Sequence, residues 1–299
     1  MENTQFSGTG VALVTPFRDD GSVDVEDLRK HVEFQIENGV NVMVPGGTTG
    51  EGATLSADEQ RLVISTTVEA AQGGTPVLAG AGGSDTADVV RKARAARDAG
   101  ADGILSVSPS YNKPTQRGLI EHYRAIAGAV DCPVIIYNVP GRTASNVLPE
   151  TVLALAEIEN ITGVKEASGD VNQVMTLIRE RPEGFTILSG DDALTFPLLV
   201  AGADGVISVV ANLAPALMSQ MVEKALGGDY ESARELHYRL LPLMRAIFVE
   251  TNPIPIKAAL EIMGHRKAHY RLPLVRPTSE VEAFLRRALA DAGLLGAGA

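Results

Sequence analysis

The 299-residue sequence has no tryptophan and a single cysteine, Cys132. One cysteine cannot close a disulfide within the chain, which suits a reducing compartment, and Cys132 is expected to be buried and inert. No run of about 18 apolar residues occurs, so the pattern excludes a spanning helix. The opening Met1-Glu2-Asn3-Thr4-Gln5-Phe6 lacks the basic-then-apolar order of a secretory signal, and a cytoplasmic location is expected. Positive charge is in deficit: 26 Lys and Arg stand against 37 Asp and Glu, a formal net charge of −11. That field argues against a nucleic-acid or anionic-membrane surface, although a few cations gathered in one cleft can still hold an anionic substrate.

Chemical signatures are missing too. The five histidines, His31, His122, His237, His265 and His269, fall in predicted helices or in the tail. No His/Cys/Asp cluster has metal-ligand spacing, and no metal is expected. There is no Gly-x-Ser-x-Gly elbow, dinucleotide fingerprint or P-loop. These absences remove the hydrolase and nicotinamide readings, and no cofactor is expected.

What is present is a rhythm of short Val- and Ile-rich runs, each followed by a helix-like segment. The runs are Gly10–Phe17, Asn41–Gly47, Pro76–Ala81, Gly103–Pro109, Pro133–Pro140, Ile161–Ala167, Phe185–Gly190 and Gly205–Val210. Continuous apolar strands of this kind belong to a parallel sheet covered on both faces. Eight units in about 225 residues suit a closed (β/α)8 TIM barrel better than an open doubly wound sheet. The fold class is therefore α/β, with residues 1–225 as the barrel and 226–299 as a C-terminal helical extension packed on it.

Local signals support the helices between the strands. Ser56-Ala57-Asp58-Glu59 reads as a capping box, and Pro149 suits the first turn of the helix carrying Val152 and Leu155. Ala99-Gly100 and Ala201-Gly202 precede strands, where a left-handed helix end needs glycine. In the extension, Leu236, Leu240, Leu243 and Ile247 form one apolar stripe, and Pro253 opens a helix reaching Met263.

A (β/α)8 enzyme carries its site at the C-terminal ends of its strands. The second strand ends in Gly47-Thr48-Thr49-Gly50-Glu51, which is either a carboxylate-sized cradle of hydroxyls and amides or a glycine turn with capping hydroxyls. The fourth ends in Pro109-Ser110-Tyr111-Asn112-Lys113-Pro114, where Tyr111 is either a proton carrier or a ring closing the barrel top. After the fifth, Tyr137 stands at the strand end and Arg142 in a Pro-Gly turn. Arginine there holds a carboxylate bidentately or makes a surface salt bridge. The sixth strand embeds Lys165 in an apolar run, next to Glu166. Desolvation lowers a lysine pKa and exposes a neutral nucleophile, unless the side chain reaches past the strand end or pairs with Glu166; the position favours catalysis. The seventh and eighth strands end in Ser189-Gly190-Asp191-Asp192 and Ala211-Asn212. Neither has a glycine-rich phosphate grip, which points to a non-phosphorylated substrate.

These segments, together with Gly163-Val164-Lys165-Glu166-Ala167-Ser168 and Asn252-Pro253-Ile254-Pro255-Ile256-Lys257, resemble the dihydrodipicolinate synthase and N-acetylneuraminate lyase family over essentially the whole chain. The resemblance implies a Schiff base between Lys165 and pyruvate, with Tyr137 relaying protons. It implies a hydroxyl relay through Thr48 and Tyr111, the latter from a neighbouring subunit, and a pyruvate carboxylate held by Thr48 and Thr49. Gly190 and Ile207 would line the pocket with backbone carbonyls. Arg142 would receive the carboxylate of L-aspartate semialdehyde, the second substrate, and favours the synthase branch over the sialic-acid lyases. The implied assembly is a homotetramer built as a dimer of dimers, serving lysine and diaminopimelate synthesis. In lysine-inhibited relatives the interface site carries aromatic, amide and histidine side chains. Ser110, Ala57, Gln60 and Ser84 stand there instead, so feedback inhibition by lysine is expected to be weak or absent. Two other readings stay open: a sister aldolase acting on a 2-keto-3-deoxy sugar acid or related pyruvate-derived substrate, and a non-catalytic keto-acid-binding barrel.

Overall fold

The structure, a computed structural model, describes residues 5–295. Eight parallel strands form one sheet: β1 Gly8–Ala12, β2 Val42–Val44, β3 Leu78–Gly80, β4 Gly103–Val107, β5 Val134–Asn138, β6 Ile161–Glu166, β7 Thr186–Ser189 and β8 Gly205–Ser208. Each strand pairs with its sequence neighbours, and β8 returns to β1 with Thr9 opposite Val206. The seam between β2 and β3 is the thinnest, a single Met43–Val77 bridge. Backbone bonds from Met43 to Pro76 (3.0 Å) and from Gly80 to Pro45 (2.9 Å) complete the closure.

Period-two alternation sorts each strand between two cores. Val42, Val44, Leu105, Ile135, Tyr137, Leu188 and Ile207 pack together inside the barrel. Their neighbours Met43, Ile104, Ile136, Ile187 and Val206 pack outward beneath the helices. Phe6 plugs one end so closely that a Cβ on Gly103 would lie 2.7 Å from its ring.

The covering helices are α1 Val25–Glu37, α2 Ala57–Ala71, α3 Thr86–Asp98, α4 Gln116–Ala127, the single turn α5 Pro140–Thr143, α6 Pro149–Ala156, α7 Val171–Glu180, α8 Thr195–Ala201 and α9 Pro215–Leu226. Three more follow: α10 Tyr230–Ala246, α11 Ile254–Ile262 and α12 Ser279–Asp291. The capping box forms as expected, with Glu59 N–H donating to Ser56 Oγ (3.2 Å) and Ser56 N–H to Glu59 Oε2 (2.9 Å). Gly100 and Gly202 close α3 and α8 at φ +95° and +110°. Pro149 takes the first turn of α6.

The α10 stripe is buried at Leu240, Leu243 and Ile247 and shares one core with Val11, Met43 and Val206 of the barrel. Leu236 is only half-buried against it. No helix among the described residues is long and apolar enough to cross a membrane.

Two expectations need correction. The first strand is Gly8–Ala12, not Gly10–Phe17. Leu13 still bonds Val44, but Val14 N–H turns to the Asn212 side chain (3.1 Å), and Pro16 has no N–H to offer a ladder. Cys132 is half-buried rather than buried. Partial burial, reinforced by Asp131, pushes its thiol up, which keeps it protonated.

Candidate active site

Alternation on β6 decides which way its two charged residues face. Lys165 points into the barrel, 5 % exposed, with Nζ 4.3 Å from the centroid of the Tyr137 ring. Glu166 points outward, where Oε2 accepts from Asn138 and Gln173 (2.9 Å each) and Oε1 from the Ser168 amide (2.6 Å). The Lys165–Glu166 pair allowed by the sequence does not form. Desolvation therefore dominates and brings the Lys165 amine down to about 8, with Asp192 opposing the fall and Arg142 assisting it. At pH 7 about one amine in ten is then neutral, against about one in a few thousand for an ordinary lysine.

Tyr137, at the end of β5, faces the same interior. Burial pushes its phenol up, opposed by Arg142 and by a hydrogen bond with the Thr48 side chain. Thr48 and Thr49 lie in the loop after β2, which doubles back tightly. A Cβ on Gly52 would sit 2.2 Å from Gly46 O, so only glycine fits. Thr49 is buried, and its Oγ1 accepts from Asn252 Nδ2 (2.9 Å). Arg142 stands on α5 and donates from Nη2 to the backbone oxygen of Asn252 (3.2 Å). That contact turns it toward the cleft and not into a surface ion pair.

Gly190 follows β7, where its amide bonds Glu166 O (2.7 Å) and an added Cβ would meet Lys165 Cε at 3.1 Å. Ile207 is buried among the inward residues of the barrel. Lys165, Tyr137, Thr48, Thr49, Arg142 and Gly190 all line one cleft of about 570 Å³. Tyr111 does not join them in its own chain. It is 93 % exposed with φ +69°, on a loop held by Ser84 bonding Ser110 O (2.8 Å).

Residues 5–292 match the Dihydrodipicolinate synthetase family. The chain belongs to this family. The 4-hydroxy-tetrahydrodipicolinate synthase of Koribacter versatilis is 52% identical over 289 residues, covering 96% of this chain and 96% of that one. That of Syntrophus aciditrophicus is 49% identical over 291 residues, 97% of this chain and all of the relative (100%). The crystal structure of the chloride-inhibited dihydrodipicolinate synthase from Acinetobacter baumannii complexed with pyruvate superposes with a TM-score of 0.95. It shares 45% identity and covers 97% of this chain and 99% of that one.

Two groups in this member of the dihydrodipicolinate synthetase family were not singled out from the sequence. Asp192 is fully buried, and its Oδ2 accepts the amides of Val209 (2.9 Å) and Val210 (3.1 Å), tying the end of β7 to the end of β8. Burial pushes its carboxyl up, opposed by a hydrogen bond with the Ser208 side chain and by these two amides. Asn252 enters from the extension, with Phe248, Thr251 and Pro253 beside it on the cleft wall. Both residues stand within the motifs that carry the resemblance, but an acidic side chain beside another, or an asparagine before a proline, has no local signature of a site. No cluster of His, Cys, Asp or Glu able to hold a metal occurs among the described residues.

Proposed function

We propose that the chain is a 4-hydroxy-tetrahydrodipicolinate synthase, a lyase that condenses pyruvate with L-aspartate semialdehyde through a Schiff base on Lys165. One observation carries the reading. A lysine with its amine down at about 8 sits inside a barrel beside a buried tyrosine, in a cleft that also holds Arg142.

The neutral Lys165 amine attacks C2 of pyruvate, and the ketone oxygen leaves as water, giving an iminium. Tyr137, bonded to Thr48, carries the protons that this exchange needs, and Tyr111 of a second copy completes the relay. Thr48 and Thr49 hold the pyruvate carboxylate with hydroxyls and nearby amides. Loss of a C3 proton gives the enamine, which attacks the aldehyde carbon of the second substrate while the aldehyde oxygen takes up a proton. Arg142 holds that substrate's carboxylate and sets the reaction apart from that of a sister aldolase. The amine of the adduct then displaces Lys165 from C2, which closes the ring and frees the enzyme. Gly190 and Ile207 shape the wall around the imine.

The active assembly is a homotetramer of two dimers in the cytoplasm, acting in lysine and diaminopimelate synthesis. The catalytic barrel is residues 1–225 and its helical extension 226–299, of which 1–4 and 296–299 lie outside the described residues. The exposed Tyr111, held away from its own cleft, supports a site shared between copies.

The test is a coupled assay with pyruvate and L-aspartate semialdehyde beside borohydride trapping with pyruvate alone. Turnover and a reduced adduct on Lys165, both lost in Lys165→Ala, are expected. Arg142→Met should keep the adduct and lower kcat/KM for the semialdehyde by at least about 10-fold, the share of one charge-assisted contact. An adduct without turnover in the wild type would mean a sister aldolase, and no adduct a binding protein.

A further inference from the structure

Two chain segments about 200 residues apart in sequence are clamped together at the cleft by two rungs. The upper rung is Asn252 Nδ2 donating to Thr49 Oγ1 at 2.9 Å. The lower is the ion pair of Lys257 with Glu51, whose side chains are 3% and 0% exposed. Lys257 also donates to His269 O (2.9 Å) and lies 4.3 Å over the Phe17 ring. That pairing satisfies a buried cation and fixes α11 against the loop after β2.

The direction of the upper rung matters for chemistry. A hydroxyl has one proton and can accept as well as donate. When Asn252 donates to Thr49 Oγ1, the Thr49 proton is left free to be given to something else. Asn252 Oδ1 has no partner of its own, so the bond to Thr49 is the contact that the amide's side chain makes. The same residue receives Arg142 on its backbone oxygen (3.2 Å). One residue of the extension therefore touches both cationic and hydroxyl ends of the cleft.

We propose that Asn252 is a positioning residue for the keto acid: by donating to Thr49 it aims the Thr49 proton at the substrate carboxylate, and the Glu51–Lys257 pair keeps it in place. The inference rests on the reading of the cleft as a pyruvate site. The extension thereby becomes part of the binding machinery for the first substrate.

The experiment compares wild type, Asn252→Ala and Asn252→Asp by the pyruvate concentration that half-saturates borohydride trapping, by KM for each substrate, and by melting temperature. Asn252→Ala removes the donor and should raise half-saturation about 3–10-fold, the share of one neutral hydrogen bond. Asn252→Asp reverses the bond, since its carboxylate can only accept, and sets a negative charge beside the substrate's. It should raise half-saturation several-fold beyond the alanine variant. KM for the semialdehyde should stay within about 2-fold in Asn252→Ala, because Arg142 contacts the backbone oxygen, which every substitution retains. If both variants melt lower yet trap pyruvate at the wild-type concentration, Asn252 only supports the fold and the proposal is overturned. Equal losses in the two variants would also overturn it, because bond direction would then be irrelevant. Should Asn252→Asp not fold, Asn252→Ala carries the test through its split between the two substrates. Failure of the wild type itself to be trapped would instead overturn the underlying function.

Discussion

At the scale of single residues, Lys165 is governed by three influences of known sign. Burial lowers its pKa most, Asp192 raises it and Arg142 lowers it. Asp192→Asn removes the negative charge, so the amine should lose its proton at lower pH. The acid limb of pyruvate trapping against pH, centred near 8 in the wild type, should then move toward acid. Arg142→Met should move it toward alkali. An unmoved limb in Asp192→Asn would mean that Asp192 is already protonated, and so uncharged, where Lys165 titrates, which is the direction in which burial pushes it. Part of this chemistry was legible in the sequence. A lysine in an apolar strand announces itself, and so does an arginine in a Pro-Gly turn. Asp192 and Asn252 did not, because their importance comes from partners across the barrel and not from an unusual local context.

At the scale of elements, the loop after β2 and helix α11 form one unit. Lys257→Met leaves the buried Glu51 carboxyl without its ion-pair partner, and should cost about 3–5 kcal/mol in urea unfolding. Adding Glu51→Gln should recover much of that loss, since the uncompensated charge and not the missing bond is the main cost. A double variant no more stable than Lys257→Met would point to the ammonium over the Phe17 ring as the dominant contribution. Element positions themselves were largely readable. The capping box on α2, Pro149 at the start of α6 and the glycines after α3 and α8 are short-range rules, and they operate here as expected. The first strand was misplaced because Leu13–Phe17 is as apolar as a strand. Past Leu13, the Val14 amide is claimed by the Asn212 side chain that follows the adjacent β8, and Pro16 has no N–H.

At the scale of the whole molecule, Tyr111 is the feature that a lone chain cannot use. Tyr111→Phe and Lys165→Ala homo-oligomers should each be nearly inactive. Mixing them under subunit exchange should restore activity, since a hybrid contains one site with an intact lysine and an intact partner tyrosine. No recovery despite confirmed exchange would place Tyr111 outside the relay.

Regulation can be tested at the same scale. Gln60 donates to Gly80 O (2.7 Å) and Ser84 to Ser110 O (2.8 Å), so these donors are already spent within the chain. L-lysine at about 1 mM, enough to fill even a weak site, should leave the rate unchanged. Half-inhibition below that concentration would show that backbone groups alone suffice for binding.

The sequence by itself determined the α/β class, the order of the eight strands and helices, and the strand ends that carry the chemistry. These follow from short-range periodicity and from residue types placed where a barrel exposes them. Only the tertiary structure decided that Lys165 turns inward while Glu166 is consumed outside, that the barrel closes at a thin β2–β3 seam, and that Asn252 meets Thr49. Such pairings join residues far apart in the chain, and nothing in the neighbourhood of either partner encodes the other until the shared core brings them into contact.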